Sequence, residues 1–210
     1  MTRPSLVIFD MDDVLCHYEL GKRLRYLASL ANCTARDVRA AIWDSGFEGE
    51  SDAGGYPDGE VYLAEFRKRL GYPISVEQWV EARREAMHPN QSVLNLAMSI
   101  KHHATIAIYT NNGPLVKDNI GALLPEAAAV FDLRFCSYEF GTKKPDPESF
   151  TRLVKHLGKQ PAECWFIDDK KSNVEGARIA GLRGHHFRNA LDLVAEAQHL
   201  GFDVPGLTAH

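Results

Sequence analysis

The chain has 210 residues, of which 45% are hydrophobic and 25% are charged, and its formal net charge is −4 at pH 7. This length fits one large domain or a core with a modest insertion, and the composition argues against disordered and fibrous proteins. The charge gives no basic field that would attract nucleic acid, and no run of roughly 18 apolar residues predicts a membrane span. The four cysteines lack metal-binding spacing and are typical of reduced thiols in a cytoplasmic protein.

The first predicted element is a short apolar strand over residues 5–9, which leads directly into Asp10. The segment 18–91 contains no convincing buried strand, and its apolar residues show helical spacing instead. We therefore predict a helical cap over 18–91, inserted into a core formed by 1–17 and 92–210. The predicted helices of the cap are 20–31, 35–42, 60–70 and 76–87.

Local start signals support two of these helices. Thr34 with Asp37 resembles a capping box in which aspartate replaces the usual glutamate, and Ser75 with Gln78 fits the box better. Between the second and third helices, residues 44–59 are rich in Gly, Asp and Glu, which predicts a loop.

After the insertion, apolar runs alternate with helical patterns. This alternation predicts a parallel α/β sheet with right-handed crossovers. The further predicted strands are 104–109, 133–136, 164–167 and, more weakly, 184–187. The predicted helices are 114–124, 147–157, 173–180 and 191–200.

Polar residues suited to chemistry follow the strongest strands. In open α/β sheets, ligands bind outside the carboxyl ends of the strands, so we expect these side chains to converge. They are Asp10, Asp12 and Asp13 after the first strand, Thr110 and Asn111 after the second, and Asp168 and Asp169 after the fourth, with Lys143 and Lys144 in a loop between.

This combination of groups has a physical logic. Carboxylates from adjacent strands repel one another unless a hard cation lies between them, and Mg²⁺ prefers such oxygen ligands while leaving positions for phosphate. A lysine and a hydroxyl can bind the remaining phosphate charge, and an aspartate can attack phosphorus to form an acyl phosphate.

Four sequence motifs carry a family resemblance. DMDDVL, TNN, KKPDPESF and FIDDKKSNVEGA resemble, in order, the four motifs of the haloacid dehalogenase superfamily. The resemblance covers residues 5–16 and 104–187, and the insertion after the first motif resembles a C1-type helical cap. The last two motifs are also similar to the glucose-1-phosphate phosphatase and epoxide-hydrolase N-domain branch. The resemblance implies a Rossmann-like parallel sheet flanked by helices, with the cap inserted.

The resemblance also implies catalytic roles. Asp10 matches the nucleophile that becomes phosphorylated, and Asp12 matches the general acid and base. Lys144 matches the lysine that neutralises the nucleophile and the phosphate, with Lys143 as the alternative. Asp13 stands where many family members have glycine, which adds negative charge near the site.

Substrate-binding residues are expected at two places. Thr110 matches the hydroxyl that binds the transferring phosphoryl group, and Asn111 lies beside it in the motif. His17 follows the first motif where the insertion begins, which makes it a candidate to face the substrate.

The fourth motif implies a magnesium site. Asp169 matches the main metal ligand of this motif, Asp168 would hold a metal-bound water, and Asn173 would support the loop. The backbone carbonyl of Asp12 is a further expected ligand. The residues implied around Mg²⁺ are Asp10, Asp12, Asp168 and Asp169.

The presence of Asp12 favours phosphoryl transfer over dehalogenation, because a poor alkoxide leaving group benefits from protonation. We therefore predict a Mg²⁺-dependent phosphomonoesterase that acts on a small phosphorylated metabolite, with a sugar phosphate as the expected substrate. A phosphomutase of the β-phosphoglucomutase type is the main alternative. A 2-haloacid dehalogenase and a non-catalytic binder of phosphate ligands are the less favoured ones.

Overall fold

The computed structural model describes residues 2–206. In chain order its strands are β1 (Leu6–Phe9), β2 (Cys16–Tyr18), β3 (Met87–Pro89), β4 (Thr105–Thr110), β5 (Leu133–Cys136), β6 (Cys164–Asp168) and β7 (Arg183–His186). Five of them form one parallel sheet in the order β5-β4-β1-β6-β7. The predicted Rossmann-like sheet is confirmed, including its weakest strand, and β1 lies at its centre.

Helices cover both faces of this sheet. Those of the core are α6 (Gln91–Lys101), α7 (Pro114–Leu123), α8 (Pro125–Val130), α9 (Pro147–His156), α10 (Lys171–Ile179) and α11 (Ala190–His199). Four of these six helices were predicted from the sequence pattern, and α6 and α8 were not. No helix within residues 2–206 is both long and apolar enough to cross a membrane.

The insertion contains five helices. They are α1 (Leu20–Ala31), α2 (Ala35–Ile42), α3 (Phe47–Asp52), α4 (Gly59–Leu70) and α5 (Val76–Arg84). Both predicted capping boxes are present, at Thr34 and Ser75. The loop predicted over 44–59 instead contains α3, a single short helix whose Phe47 ring packs against Tyr56, Tyr62 and Phe66.

A second difference lies at the two ends of the insertion. There β2 and β3 pair as an antiparallel ribbon, which the sequence analysis did not predict. The helix predicted over 76–87 accordingly ends at Arg84, and Met87 already belongs to β3. Strands of three residues carry too little alternation to be recognised by pattern.

The two faces of the sheet bury different clusters, because successive residues of a strand point to opposite faces. Leu6 and Ile8 pack into a cluster with α9 and α10 residues. Val7 and Phe9 belong to a larger cluster that continues through the helices of the insertion. The insertion and the core therefore share one hydrophobic interior.

Candidate active site

Asp10 stands at the carboxyl end of the central strand, directly after Phe9. Its backbone N–H donates to the Ile167 carbonyl of the neighbouring strand at 2.9 Å, and its Oδ1 accepts from the Met11 N–H at 2.8 Å. The residue is only 5% exposed. Burial raises the pKa of the Asp10 carboxyl, and the adjacent Lys144 opposes that rise.

Lys144 lies between two carboxylates. Its Nζ is 2.9 Å from Asp10 Oδ1 and 2.6 Å from Asp168 Oδ2, and it also donates to the Tyr109 carbonyl at 3.1 Å. Burial alone would lower the pKa of this amine, but the two carboxylates hold it above its usual value. Lys143 instead donates to the Gly49 carbonyl of the insertion at 2.8 Å, so of the two lysines Lys144 contacts the expected nucleophile.

The fourth motif adds two carboxylates at the end of β6. Asp168 is fully buried and accepts hydrogen bonds from Asn173 Nδ2 at 3.0 Å and from the Lys170 N–H at 2.8 Å. Asp169 is half-buried, and its Oδ1 is enclosed with no hydrogen-bond partner in the described part of the chain. Burial and the Asp168 charge raise the pKa of the Asp169 carboxyl.

These acids form a group that fits a hard cation. One carboxylate oxygen each from Asp10, Asp168 and Asp169 lies within 4.8 Å of the other two. Three acids so close together, one with an enclosed oxygen lacking any donor, need positive charge beyond that of Lys144. Oxygen ligands of this kind are what Mg²⁺ prefers, so the residues fit the metal that the motifs imply.

Asp12 is held by an arginine from the insertion. Arg83, at the end of α5, places its Nη2 2.7 Å from Asp12 Oδ2 and 3.1 Å from Oδ1. The Arg83 side chain is 4% exposed and that of Asp12 is 25% exposed. Arg83 was not predicted, because nothing in the local sequence distinguishes it from Arg84, the exposed arginine beside it.

Thr110 and Asn111 have different surroundings from one another. Thr110 is buried at the end of β4, and its hydroxyl accepts a hydrogen bond from Asn112 Nδ2 at 2.8 Å. The Asn111 side chain donates to the Lys144 carbonyl at 2.8 Å and accepts from the Lys144 N–H at 3.0 Å. Asn111 was expected to bind substrate, but its amide is engaged in holding the backbone of Lys144.

The structure does not bring His17 to these residues. It is exposed in the middle of β2, where it is paired with His88. Its neighbours Cys16 and Tyr18 point towards the site, with Cys16 Sγ 3.9 Å from Asp12 Oδ1. Because side chains alternate along a strand, His17 points away from the site.

Several known proteins are similar to this chain in sequence. A model of the haloacid dehalogenase-like hydrolases matches residues 4–181. Flavin mononucleotide hydrolase 1 of Arabidopsis thaliana is 42% identical over 77 residues, covering 37% of this chain and 31% of that protein. D-ribitol-5-phosphate phosphatase of Bacteroides thetaiotaomicron is 23% identical over 198 residues, covering 89% and 93%. The chain spans half or less of the length of several other curated relatives it matches.

A solved structure has the same fold. It is a family enzyme from Bacteroides thetaiotaomicron in complex with magnesium and inorganic phosphate, with a TM-score of 0.74 at 18% identity. The similarity covers 88% of this chain and 94% of that one. The family model matches most of the sequence, and the four motifs lie together at the carboxyl ends of the parallel strands. The chain therefore belongs to the haloacid dehalogenase-like hydrolase family.

Proposed function

We propose that this protein is a Mg²⁺-dependent phosphomonoesterase that works through an aspartyl-phosphate intermediate. The observation that carries the proposal is the position of Lys144 between Asp10 and Asp168, beside the enclosed oxygen of Asp169. A buried amine next to a carboxylate suits a reaction in which a dianionic phosphate joins that carboxylate. The name of the D-ribitol-5-phosphate phosphatase relative and the ligands of the solved structure support the same reaction.

In the first half of the reaction, a carboxylate oxygen of Asp10 attacks phosphorus. The bond between phosphorus and the leaving oxygen breaks, and Asp12 donates a proton to that oxygen as the alcohol departs. Lys144 orients Asp10 and balances the negative charge that the phosphate brings into the buried site. The Thr110 hydroxyl is available to donate to a phosphate oxygen, since Asn112 already donates to it.

In the second half, Asp12 takes a proton from water. The water oxygen attacks phosphorus, the acyl-phosphate bond breaks, and Asp10 is released together with inorganic phosphate. Asp10, Asp169, the Asp12 carbonyl and, through water, Asp168 would hold the Mg²⁺. When bound, that ion supplies positive charge to the phosphate oxygens.

The substrate is proposed to be a small organic phosphate, with a sugar phosphate as the expected class. A narrow cleft lies between the insertion and the core. It is lined by Arg83 and Trp79 on the side of the insertion and by Asn112 and Gly113 on the side of the core. The name of the D-ribitol-5-phosphate phosphatase relative supports this substrate class.

The proposal is tested by phosphate release from an aryl phosphate and a panel of sugar phosphates, with Mg²⁺ or with a chelator. We expect release that requires Mg²⁺ and falls at least about 1,000-fold in Asp10→Asn, because the amide is not a nucleophile. Asp13→Asn is the matched control. Asp13 is exposed with a positive φ of 62°, a conformation that asparagine also adopts, so this variant should keep its activity.

Three outcomes would contradict the proposal. Phosphate release that survives in Asp10→Asn would exclude Asp10 as the nucleophile. An isomerised sugar phosphate in place of free phosphate would indicate a phosphomutase. Halide release from a 2-haloacid without metal would indicate a dehalogenase.

A further inference from the structure

The insertion supplies the ion-pair partner of Asp12. Arg83, in the last turn of α5, places its Nη2 2.7 Å from Asp12 Oδ2 and 3.1 Å from Oδ1. Cys16 Sγ lies farther away, 3.9 Å from Asp12 Oδ1. Within residues 2–206, Arg83 is therefore the cation that pairs with Asp12, and one of its nitrogens contacts both carboxylate oxygens.

Arg83 is itself held in place by the packing of the insertion. It is 3% exposed, and its guanidinium carbon lies 5.0 Å from the ring centroid of Tyr18 in β2. The Tyr18 hydroxyl accepts from Arg23 at 3.3 Å, and the Tyr18 N–H donates to Asp13 Oδ1 at 3.0 Å. Because Tyr18 is fixed at both its backbone and its hydroxyl, the arginine that packs on its ring has a defined position.

The positive charge of Arg83 is already balanced by Asp12. The charge of Arg23, behind Tyr18, is in turn acted on by the Glu48 carboxylate of the insertion. Neither arginine is therefore an unpaired cation that awaits an anion of the substrate. The group on which Arg83 acts is the Asp12 side chain.

The orientation of Asp12 matters in the second half of the proposed reaction. There an Asp12 oxygen takes a proton from water, and the water oxygen bonds to phosphorus. The bond between phosphorus and Asp10 then breaks, and its electron pair returns to the Asp10 carboxylate. A general base has to lie within hydrogen-bond reach of the proton that it takes. The Asp12 side chain is 25% exposed, so burial alone does not fix its direction.

We propose that Arg83 is a positioning residue for hydrolysis of the aspartyl phosphate and holds the Asp12 carboxylate towards the attacking water. The inference rests on the proposed function and goes beyond it, because it gives the insertion a part in the second half of the reaction. Arginine pairs with an ionised carboxylate, and the ionised form is the one that accepts a proton. The contact therefore suits Asp12 to its task as a base.

The test uses 4-nitrophenyl phosphate with Mg²⁺, because nitrophenolate leaves without needing a proton. For this substrate kcat/KM reports the transfer of phosphate to Asp10, whereas kcat also includes hydrolysis of the aspartyl phosphate. In Arg83→Met we expect kcat and KM to fall together by about tenfold or more, with kcat/KM within about threefold of wild type. Acid quenching during turnover, followed by mass spectrometry, should detect more phosphorylated Asp10 in the variant than in the wild-type protein.

Two further variants connect this effect to the contact with Asp12. Because Arg83 reaches both oxygens through one nitrogen, Arg83→Lys should restore kcat to within about fivefold of wild type. Arg84→Met is the matched control and should leave kcat and KM unchanged, because Arg84 is exposed on the same helix and pairs with Glu81. Far-UV circular dichroism and thermal unfolding check that each variant is folded.

A second experiment removes the group that Arg83 is proposed to hold. Asp12→Asn should itself slow hydrolysis of the aspartyl phosphate. Adding Arg83→Met to Asp12→Asn should change that rate by less than about threefold, because the positioned carboxylate is already absent. The decay of phosphorylated protein after removal of substrate measures the rate in both proteins.

The inference and the proposed function fail in different ways. If kcat/KM falls as much as kcat in Arg83→Met, or if kcat does not change, Arg83 does not position Asp12, while the phosphatase remains. A further large loss when Arg83→Met is added to Asp12→Asn would overturn the inference as well. If the wild-type protein releases phosphate from no phosphomonoester, the proposed function itself is wrong.

Discussion

Lys144 pairs with two buried carboxylates at once. Its Nζ is within 2.9 Å of both Asp10 and Asp168, and its side chain is 1% exposed. A buried ion pair adds little to stability relative to apolar packing, but removing one member leaves the others uncompensated. Within residues 2–206, Lys144 is therefore the cation that compensates the charge of both carboxylates when no metal ion is bound.

Replacing Lys144 with methionine tests this dependence. In metal-free buffer, Lys144→Met should lower the free energy of unfolding by about 3 kcal/mol, because two buried carboxylates lose their cation. Added Mg²⁺ should restore part of the stability but not phosphate release. Urea unfolding with and without Mg²⁺ measures the first effect.

The adjacent lysine provides the comparison. Lys143 donates a single hydrogen bond to the Gly49 carbonyl, so Lys143→Met should lower the free energy of unfolding by about 1 kcal/mol. If Lys144→Met and Lys143→Met lower the free energy of unfolding equally, Lys144 does not stabilise the buried carboxylates.

At the scale of elements, α3 connects the insertion to the core. The Ser137 hydroxyl donates to the Asp52 carbonyl at 2.6 Å, and Lys143 donates to the Gly49 carbonyl at 2.8 Å. Ser51 is fully buried against the loop after β4, and its hydroxyl has no hydrogen-bond partner in the described part of the chain. A Cβ added to Gly113 would overlap Ser51 Oγ. This close approach holds the insertion over the site.

A pair of substitutions at this contact tests its importance. Gly113 has a negative φ of −89°, so alanine fits its backbone and acts only through the overlap. In Gly113→Ala, this overlap should cost about 1–3 kcal/mol of stability and displace α3. We therefore expect Gly113→Ala to lower kcat/KM by about tenfold or more.

Removing the Ser51 hydroxyl should restore the activity that Gly113→Ala loses. We expect Ser51→Ala alone to be nearly neutral and the double variant to recover to within about threefold of wild type. Steady-state kinetics on an aryl phosphate measures all four proteins. Full activity of Gly113→Ala would show that the reaction does not need this contact.

At the scale of the whole molecule, the insertion and the sheet share one hydrophobic cluster. Phe9 of the central strand and Trp79 of α5 both belong to it. The connection by the β2–β3 ribbon reinforces this continuity. A common interior of this kind favours unfolding in one cooperative transition rather than in two.

The tryptophans can report this cooperativity. Trp165 lies in β6, whereas Trp43 and Trp79 lie in the insertion, so Trp165→Phe leaves fluorescence from the insertion alone. In that variant the urea midpoint from fluorescence should coincide with the midpoint from far-UV circular dichroism. The variant with Trp43→Phe and Trp79→Phe gives the complementary signal from the core. A fluorescence midpoint at clearly lower urea in Trp165→Phe would show that the insertion unfolds separately.

Local sequence was enough to predict the sheet and several of the polar side chains at the carboxyl ends of its strands. Asp10, Thr110 and Asp168 each follow or end an apolar run, and parallel strands bring their carboxyl ends to one edge. Both capping boxes were predictable because their two residues are three positions apart. These patterns involve residues only a few positions apart, so they can be recognised from the sequence alone.

The remaining features depended on residues that are far apart in the chain. Arg83 meets Asp12 across 71 positions, and Asn111 meets Lys144 across 33, so no periodicity marks either pair. The helix α3 is too short to show a pattern, and its place comes from the core loops that it contacts. The sequence by itself therefore determined the sheet, the family and the set of acids. Only the tertiary structure decided which charges meet, because burial and pairing arise when distant segments pack together.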